Sequence, residues 1–324
     1  MSLLQQKIFP QVCGFIGFDS LVCCKEEKQN IQEIRSHGNI SATKCKEYYP
    51  EPVFGIAVVG GQESLAKEFP HMFDNMRSIY QLLSNILQAA IGFGESNNIQ
   101  WLCGGSLISR NFILTAAHCL VSRELGPARF VRLGELDFAT DQDDAQTQDF
   151  TVKKIVPHPD FRPVSGRYHD IGLIELDRDV ERTQYVDIAC LDMMRVQEDP
   201  QMIATGWGKT EFSGKASTHL LKINLNTVTN DQCQRFYQNA RRELPGGIVD
   251  DLQICAGGKV MQDTCQGDSG GPLQRRNYAV GSIIYVYNII GVTSFGKACG
   301  LSKTPGIYTR VYGYLPWIES IVWP

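Results

Sequence analysis

Over residues 58–324 the sequence is a succession of short β-rich runs, among them SLISRNFILTAA, FVRLGEL, FTVKKIVPH, IGLIEL, QMIATGWG, NLNTV and NIIGVTSFG, divided by Gly, Pro, Asn and Asp. β-branched and aromatic residues suit a pleated, half-buried surface, and the dividing residues suit turns. Many short strands must also hide their edges, which barrels and sandwiches do. An all-β fold is therefore expected. Two stretches depart from it as helices: TNDQCQRFYQ follows a Thr/Asn capping signal, and the C-terminal YGYLPWIESIVW carries Pro316 where an early helical turn tolerates it.

A third departure is FDNMRSIYQLLSNILQ at 73–88, where Ile79, Leu82, Leu83 and Ile86 have the i, i+3, i+4, i+7 spacing of an amphipathic helix. Without it, EFPHM runs directly into AAIGFGESNNIQWLCGGSLI, a strand–loop–strand pattern. The segment reads as an insertion. It is either a helical excursion that binds a partner or a run of codons that the functional protein lacks. The second reading is preferred, because interrupting a core strand leaves ladder groups unpaired. Residues 1–50 are polar and hold CGFIGFDSLVCC, followed by KEEKQNIQEIRSHGN, which reads as a solvated linker.

At 324 residues, with 43% hydrophobic and 20% charged side chains, the chain can bury a sizeable core. A net charge of −4 gives no broad basic surface, which argues against nucleic acid or an anionic membrane as main partners. No apolar run approaches the roughly 18 residues of a membrane span. Eleven cysteines without a C-x-x-C pair read as disulfide partners in an oxidising, extracellular compartment. The opening MSLLQQKIFPQVCGF lacks the apolar stretch of a signal peptide, so the expectation is a secreted protein whose start is truncated here.

Three strings carry chemistry: TAAHC at 115–119, HDIGLIEL at 169–176 and TCQGDSGGPL around Ser269. A serine hydroxyl is inert near neutral pH until an imidazole takes its proton, and the imidazole needs a carboxylate to fix its tautomer. His118, Asp170 and Ser269 supply these parts. Taken singly, each string has a plainer reading as a packed histidine, a strand-edge carboxylate or a glycine turn. Their joint occurrence favours a nucleophilic serine peptidase.

With VVGG at 58–61, EFPHM, WLCGGSLIS, LTAAHC, the Asp170 string, TGWGKT, the Ser269 string, GVTSFGKACG and TPGIYTRV, the chain resembles the chymotrypsin-like serine proteases over 58–324. The resemblance is nearer still to the arthropod clip-domain group of the snake type. It implies two six-stranded antiparallel β-barrels with a C-terminal helix and an active site in the crevice between them. By resemblance His118 is the general base and then acid, Asp170 orients it, Ser269 is the nucleophile, and the backbone N–H groups of Gly267 and Ser269 form the oxyanion hole. Asp263 stands at the floor of the specificity pocket, where a carboxylate implies cleavage after Arg or Lys. Gly296 and Gly306 line its walls, and Ser294 binds substrate backbone.

The resemblance also implies a zymogen. Cleavage between Ala57 and Val58 would free an α-ammonium that pairs with Asp268, and Ala57 is not a residue that a trypsin-like activator cuts after. Implied disulfides are Cys103 with Cys119, Cys233 with Cys255, Cys265 with Cys299, and Cys45 with Cys190. Cys13, Cys23 and Cys24 match the last third of a clip domain. The expected layout is a truncated clip remnant at 1–24, a linker and activation segment at 25–57, and a peptidase domain at 58–324 that contains the 73–88 insertion. Partners by resemblance are a downstream protease zymogen as substrate, an upstream activating protease and a serpin inhibitor. No cofactor is required, and the acidic loop LGELDFATDQDDAQTQDF at 133–150, with Glu135 and Asp137, is a candidate for Ca²⁺, which favours oxygen ligands. The metal question is otherwise open. The rivals to a cascade protease are a digestive trypsin and a non-catalytic homologue serving as a cascade cofactor.

Overall fold

The β-rich runs fold as antiparallel ladders in a computed structural model that describes residues 12–16, 19–22, 38–49, 88–143, 145–183, 185–195, 201–209, 214–257, 267–278, 285–296 and 304–324. The chain divides into two units, Met1–His37 and Gly38–Pro324. In the first, β1 (Val12–Ile16) and β2 (Asp19–Val22) form an antiparallel hairpin with Phe15 opposite Ser20.

The second unit holds two barrels. The first is built from β3 (Gln88–Glu95), β4 (Asn98–Leu107), β5 (Phe112–Thr115), β8 (Phe130–Leu133), β9 (Gln148–Pro157) and β10 (Gly172–Leu176), while β6 (Val121–Ser122) and β7 (Gly126–Pro127) pair only with each other. Its strands run in the order β10-β5-β4-β3-β8-β9, and the ring closes through β9 and β10 with Ile155 opposite Ile174. Alternation explains its core: on β8, Val131 and Leu133 are fully buried while Arg132 between them faces out to Asp149, its partner on β9. Ile91, Phe93, Leu107, Ile113, Phe150 and Ile174 complete the filling. Burying each such side chain contributes about 1.5–3 kcal/mol.

The second barrel comprises β12 (Gln201–Gly206), β13 (Leu221–Val228), β14 (Gln253–Gly257), β15 (Pro272–Tyr278), β16 (Tyr285–Phe295) and β17 (Pro305–Arg310). It closes through β16 and β17, with Val292 opposite Thr309. A seventh, two-residue strand, β11 (Cys190–Leu191), joins β16 in parallel, which six-stranded symmetry does not anticipate. A third apolar cluster fills the seam: Leu114 and Leu173 of the first barrel meet Ile289 and Val292 of the second and Leu315 and Ile318 of the C-terminal helix.

Both expected helices are present. The helix Asn230–Phe236 is capped by Thr229, whose hydroxyl accepts the Gln232 N–H at 3.4 Å, and Leu315–Val322 carries Pro316 in its first turn. A third helix, Asn39–Tyr48, lies where a solvated linker was expected. Gly38, at φ 84°, turns into it, the Ser41 N–H donates to buried Glu319 at 2.7 Å, and Cys45 is bonded to Cys190. This part of the linker therefore packs within the unit Gly38–Pro324. Helix Asn39–Tyr48 has no continuous apolar stripe, so its order comes from tertiary partners that periodicity does not register.

Three of the implied disulfides are formed: Cys45–Cys190, Cys103–Cys119 and Cys233–Cys255. Cys265 and Cys299 lie outside the described residues, as do Cys23, Cys24 and the Cys13 side chain. So does the 73–88 segment up to its last residue, Gln88, which begins β3 as a strand residue rather than ending a helix. The Gln88 side chain is buried and accepts the Thr205 hydroxyl of β12 at 2.7 Å, so it is part of the packed core.

Candidate active site

The pairing of β5 with β10 brings two of the expected groups together. Gly172 lies opposite Thr115, so the residues just after β5 and just before β10 come together at one end of the barrel. His118 sits in a 3₁₀ turn, Ala117–Cys119, tied to β4 by the Cys103–Cys119 bond, and Asp170 precedes β10. The His118 backbone N–H donates to Oδ1 of Asp170 at 2.9 Å, and its Nδ1 lies 2.7 Å from Oδ2. A ring Nδ1–H donating to the carboxylate leaves Nε2 as the proton acceptor, the tautomer a general base needs.

Asp170 is fully buried. Burial pushes its carboxyl pKa up, but the His118 imidazole, the ring hydrogen bond, the Ser294 hydroxyl and the His118 amide together hold it below the ordinary carboxylate range. The Ser294 hydroxyl donates to Oδ2 of that carboxylate at 2.6 Å, a role for its side chain beside the substrate-backbone role expected from sequence. Thr309 donates its hydroxyl to the Asp170 carbonyl at 2.8 Å. Sequence reasoning assigned Thr309 no role, since only the folded β17 carries it to this loop.

Ser269 belongs to a glycine-rich turn seated on the first barrel. Its carbonyl accepts the Gly104 N–H at 2.8 Å and lies 3.4 Å from Sγ of Cys119, which sets it beside the His118 turn. Gly270 has φ 79°, and a Cβ there would fall 2.2 Å from the Thr115 hydroxyl, so no other residue fits. Gly267 is also left-handed, at φ 104°. Between them, Asp268 directs its carboxylate at the GWG string: Oδ1 accepts the Gly208 N–H at 2.8 Å, and a Cβ on Gly206 would lie 2.0 Å from that oxygen. The paired glycines around Trp207 were the available signal for this cradle.

The His118–Asp170 pair and the backbone of the Ser269 turn thus share one end of the first barrel. Gly306 lies buried in β17 opposite Ala256, and Gly296 directly follows β16. Asp263, Ala57 and Val58 lie outside the described residues.

Among the described residues of the acidic 133–150 loop, the carboxylates of Glu135, Asp137, Asp143 and Asp149 are engaged by donors of the protein itself. Glu135, nearly buried, accepts the Leu136 N–H at 2.9 Å and Arg132 Nη1 at 3.1 Å, while Arg132 also makes two bonds to Asp149, at 2.7 and 2.8 Å. Asp137 and Asp143 accept backbone N–H groups of Ala139 and Ala145 at 3.0 and 3.2 Å. Arg132 is thus the cation already paired with Glu135 and Asp149.

The Trypsin family profile matches residues 83–318. Among curated proteins, Serine protease snk of Drosophila melanogaster is 36% identical, the match covering 96% of this chain and 70% of the relative. Phenoloxidase-activating factor 1 of Holotrichia diomphalia is 36% identical over 96% of this chain and 83% of its own. CLIP domain-containing serine protease B4 of Anopheles gambiae is 34% identical over 96% and 80%.

Proposed function

The chain belongs to the trypsin family of serine endopeptidases, and on that premise we propose that it is a secreted zymogen that cleaves after Arg or Lys in an extracellular protease cascade. The observation that carries the catalytic reading is the His118–Asp170 pair, joined through both the ring and the backbone N–H, beside the Ser269 turn.

The chemistry follows from those positions. Ser269 Oγ attacks the scissile carbonyl while His118 Nε2 takes its proton, and the N–H groups of Gly267 and Ser269 receive the oxyanion. The imidazolium then gives its proton to the departing amine. Water repeats the sequence on the acyl-enzyme, releasing the acid and restoring Ser269. Asp170 remains ionised throughout, holding the ring and stabilising its positive charge.

Asp263 supports the preference for cationic side chains, because a desolvated carboxylate needs a cationic partner and Arg pairs with it bidentately. Activation by cleavage before Val58 is supported by the Asp268 cradle, which presents a carboxylate beside the nucleophile for a new N-terminus. Ala57 indicates an activator of different specificity from this enzyme. The cascade role draws support from relatives named for phenoloxidase activation and melanization; a downstream zymogen as substrate and control by a serpin are part of the same proposal. Secretion draws it from the disulfides.

The test is to cleave the protein before Val58, label with a fluorophosphonate, and assay Arg, Lys, Phe and Ala substrates. Labelling at Ser269 with turnover of Arg and Lys substrates is expected. Labelling without turnover would favour a cofactor role, and a preference for Phe or Ala would overturn the specificity.

A further inference from the structure

His169, the residue before Asp170, is the one non-glycine residue among those described with φ in the left-handed region, at 54°. Its ring lies 5.3 Å from that of His158, with 10° between the planes. The two backbones are fixed close together, since the His158 N–H donates to the Ile171 carbonyl at 3.0 Å. Asp160 places Oδ2 4.0 Å from His158 Nδ1, and one donor atom from each of His158, Asp160 and His169 lies within 4.8 Å of the other two. Packing against Tyr314 and Trp317 accounts for His158. Tyr314 also packs edge-on against the His169 ring, and the Asp160 N–H donates to His158 Nδ1 at 3.2 Å, which leaves His158 Nε2 for a ligand; neither contact accounts for the Asp160 carboxylate beside both rings.

We propose that His158, Asp160 and His169 bind a divalent transition-metal ion of the zinc type, and that occupancy lowers peptidase activity by drawing His169, and with it Asp170, away from the His118 register.

Two imidazoles and one carboxylate are the donors that borderline ions take, whereas calcium and magnesium favour oxygen alone. Zinc bonds of about 2.0–2.1 Å in a tetrahedron need donors roughly 3.3 Å apart, so the cluster must close somewhat on binding. Asp160, exposed over two-thirds of its side chain, can swing in. The nearly parallel rings also require one imidazole to turn. Tyr314 supplies an outer partner: its hydroxyl lies 3.1 Å from His169 Nδ1, and a ring that donates Nδ1–H to it presents Nε2 to the ion. Water takes the fourth position. The nearby Arg162 guanidinium is turned to the carbonyls of Pro159 and Phe161.

The effect on activity rests on the peptidase reading; the binding does not. Binding is measured on the full chain carrying Ser269→Ala, by competition for zinc against a chromophoric chelator. One ion per chain is expected, not displaced by calcium or magnesium. Asp160→Ala and His169→Asn should each weaken it at least as much as losing an outer partner does, about 10–100-fold. In the activated enzyme with Ser269 intact, Asp160→Ala should keep its basal rate and shift the zinc inhibition curve by the same factor. No zinc binding, or binding that survives both variants and disappears in His118→Ala, overturns the site, the latter by placing the ion on the catalytic imidazole. Binding with unchanged activity overturns the regulatory half. If the activated chain has no peptidase activity, the function reading fails and the chelator competition alone decides the site.

Discussion

Ser294 donates its hydroxyl to Oδ2 of Asp170 at 2.6 Å, the same oxygen that lies 2.7 Å from Nδ1 of His118. One carboxylate oxygen therefore serves two donors inside a fully buried site, and each helps keep the acid ionised. Ser294→Ala removes one of them without touching the imidazole. A hydrogen bond to a charged group contributes about 1.5–3 kcal/mol net, so kcat/KM should fall by about 12- to 160-fold, with KM little changed. Steady-state kinetics on an Arg substrate checks this. A loss carried mainly in KM would show that the hydroxyl acts on substrate binding and not through Asp170.

Asp170 also sets a pH dependence of stability. Its folded-state carboxyl titrates below the ordinary carboxylate value: burial acts against this, and His118 with Ser294 outweighs it. A folded pKa depressed below an unfolded value of about 3.9 gives stability that is complete above that value and is lost as pH falls through the folded one. Asp170→Asn cannot titrate, so wild type should be the more stable above about pH 4, with the gap narrowing in stronger acid. Urea unfolding of both proteins from about pH 7 to about pH 2 measures it. A gap that stays constant into strong acid contradicts the assignment.

What was legible in the sequence was local. Strand runs announce themselves by composition and alternation, as Val131, Arg132 and Leu133 do, and the His118, Asp170 and Ser269 strings carry their chemistry in adjacent residues. Contacts made only by folding were not legible. Helix Asn39–Tyr48 reads as linker until Glu319 and Cys190 arrive to hold it. The parallel pairing of Cys190 with Asn288 has no sequence signature at all. His158 and His169 are unremarkable eleven positions apart, and become neighbours only when β9 and β10 pair.

Gly208 tests the Asp268 cradle. A Cβ there would lie 2.5 Å from the carboxylate carbon of Asp268 and 2.6 Å from both of its oxygens, so Gly208→Ala must displace the acid. Gly267 and Ser269, whose N–H groups are the proposed oxyanion donors, flank Asp268 and move with it. Loss of one such donor lowers kcat by about 10²–10³-fold, and a fall of that order is expected in the activated variant. The two barrels should still fold, as read by far-ultraviolet circular dichroism. Activity within a factor of about two of wild type would show that the carboxylate can move without disturbing the donors.

Arg132 decides the calcium question. It lies 5.4 Å from the ring of Trp101 and pairs with Asp149 and with the nearly buried Glu135. The two carboxylates hold its guanidinium pKa above the usual arginine value, though its own partial burial opposes them. Glu135 already has a cation, so millimolar calcium should not move the Tm of the wild-type protein. Arg132→Gln leaves that carboxylate buried with only the Leu136 N–H. Breaking a fully buried pair costs about 3–5 kcal/mol; with Arg132 partly exposed, a loss of about 2 kcal/mol is expected, read as a fall of several degrees in Tm. A wild-type Tm that rises with calcium would mean that the ion displaces Arg132 from Glu135, and that the guanidinium is not the cation this loop was built around.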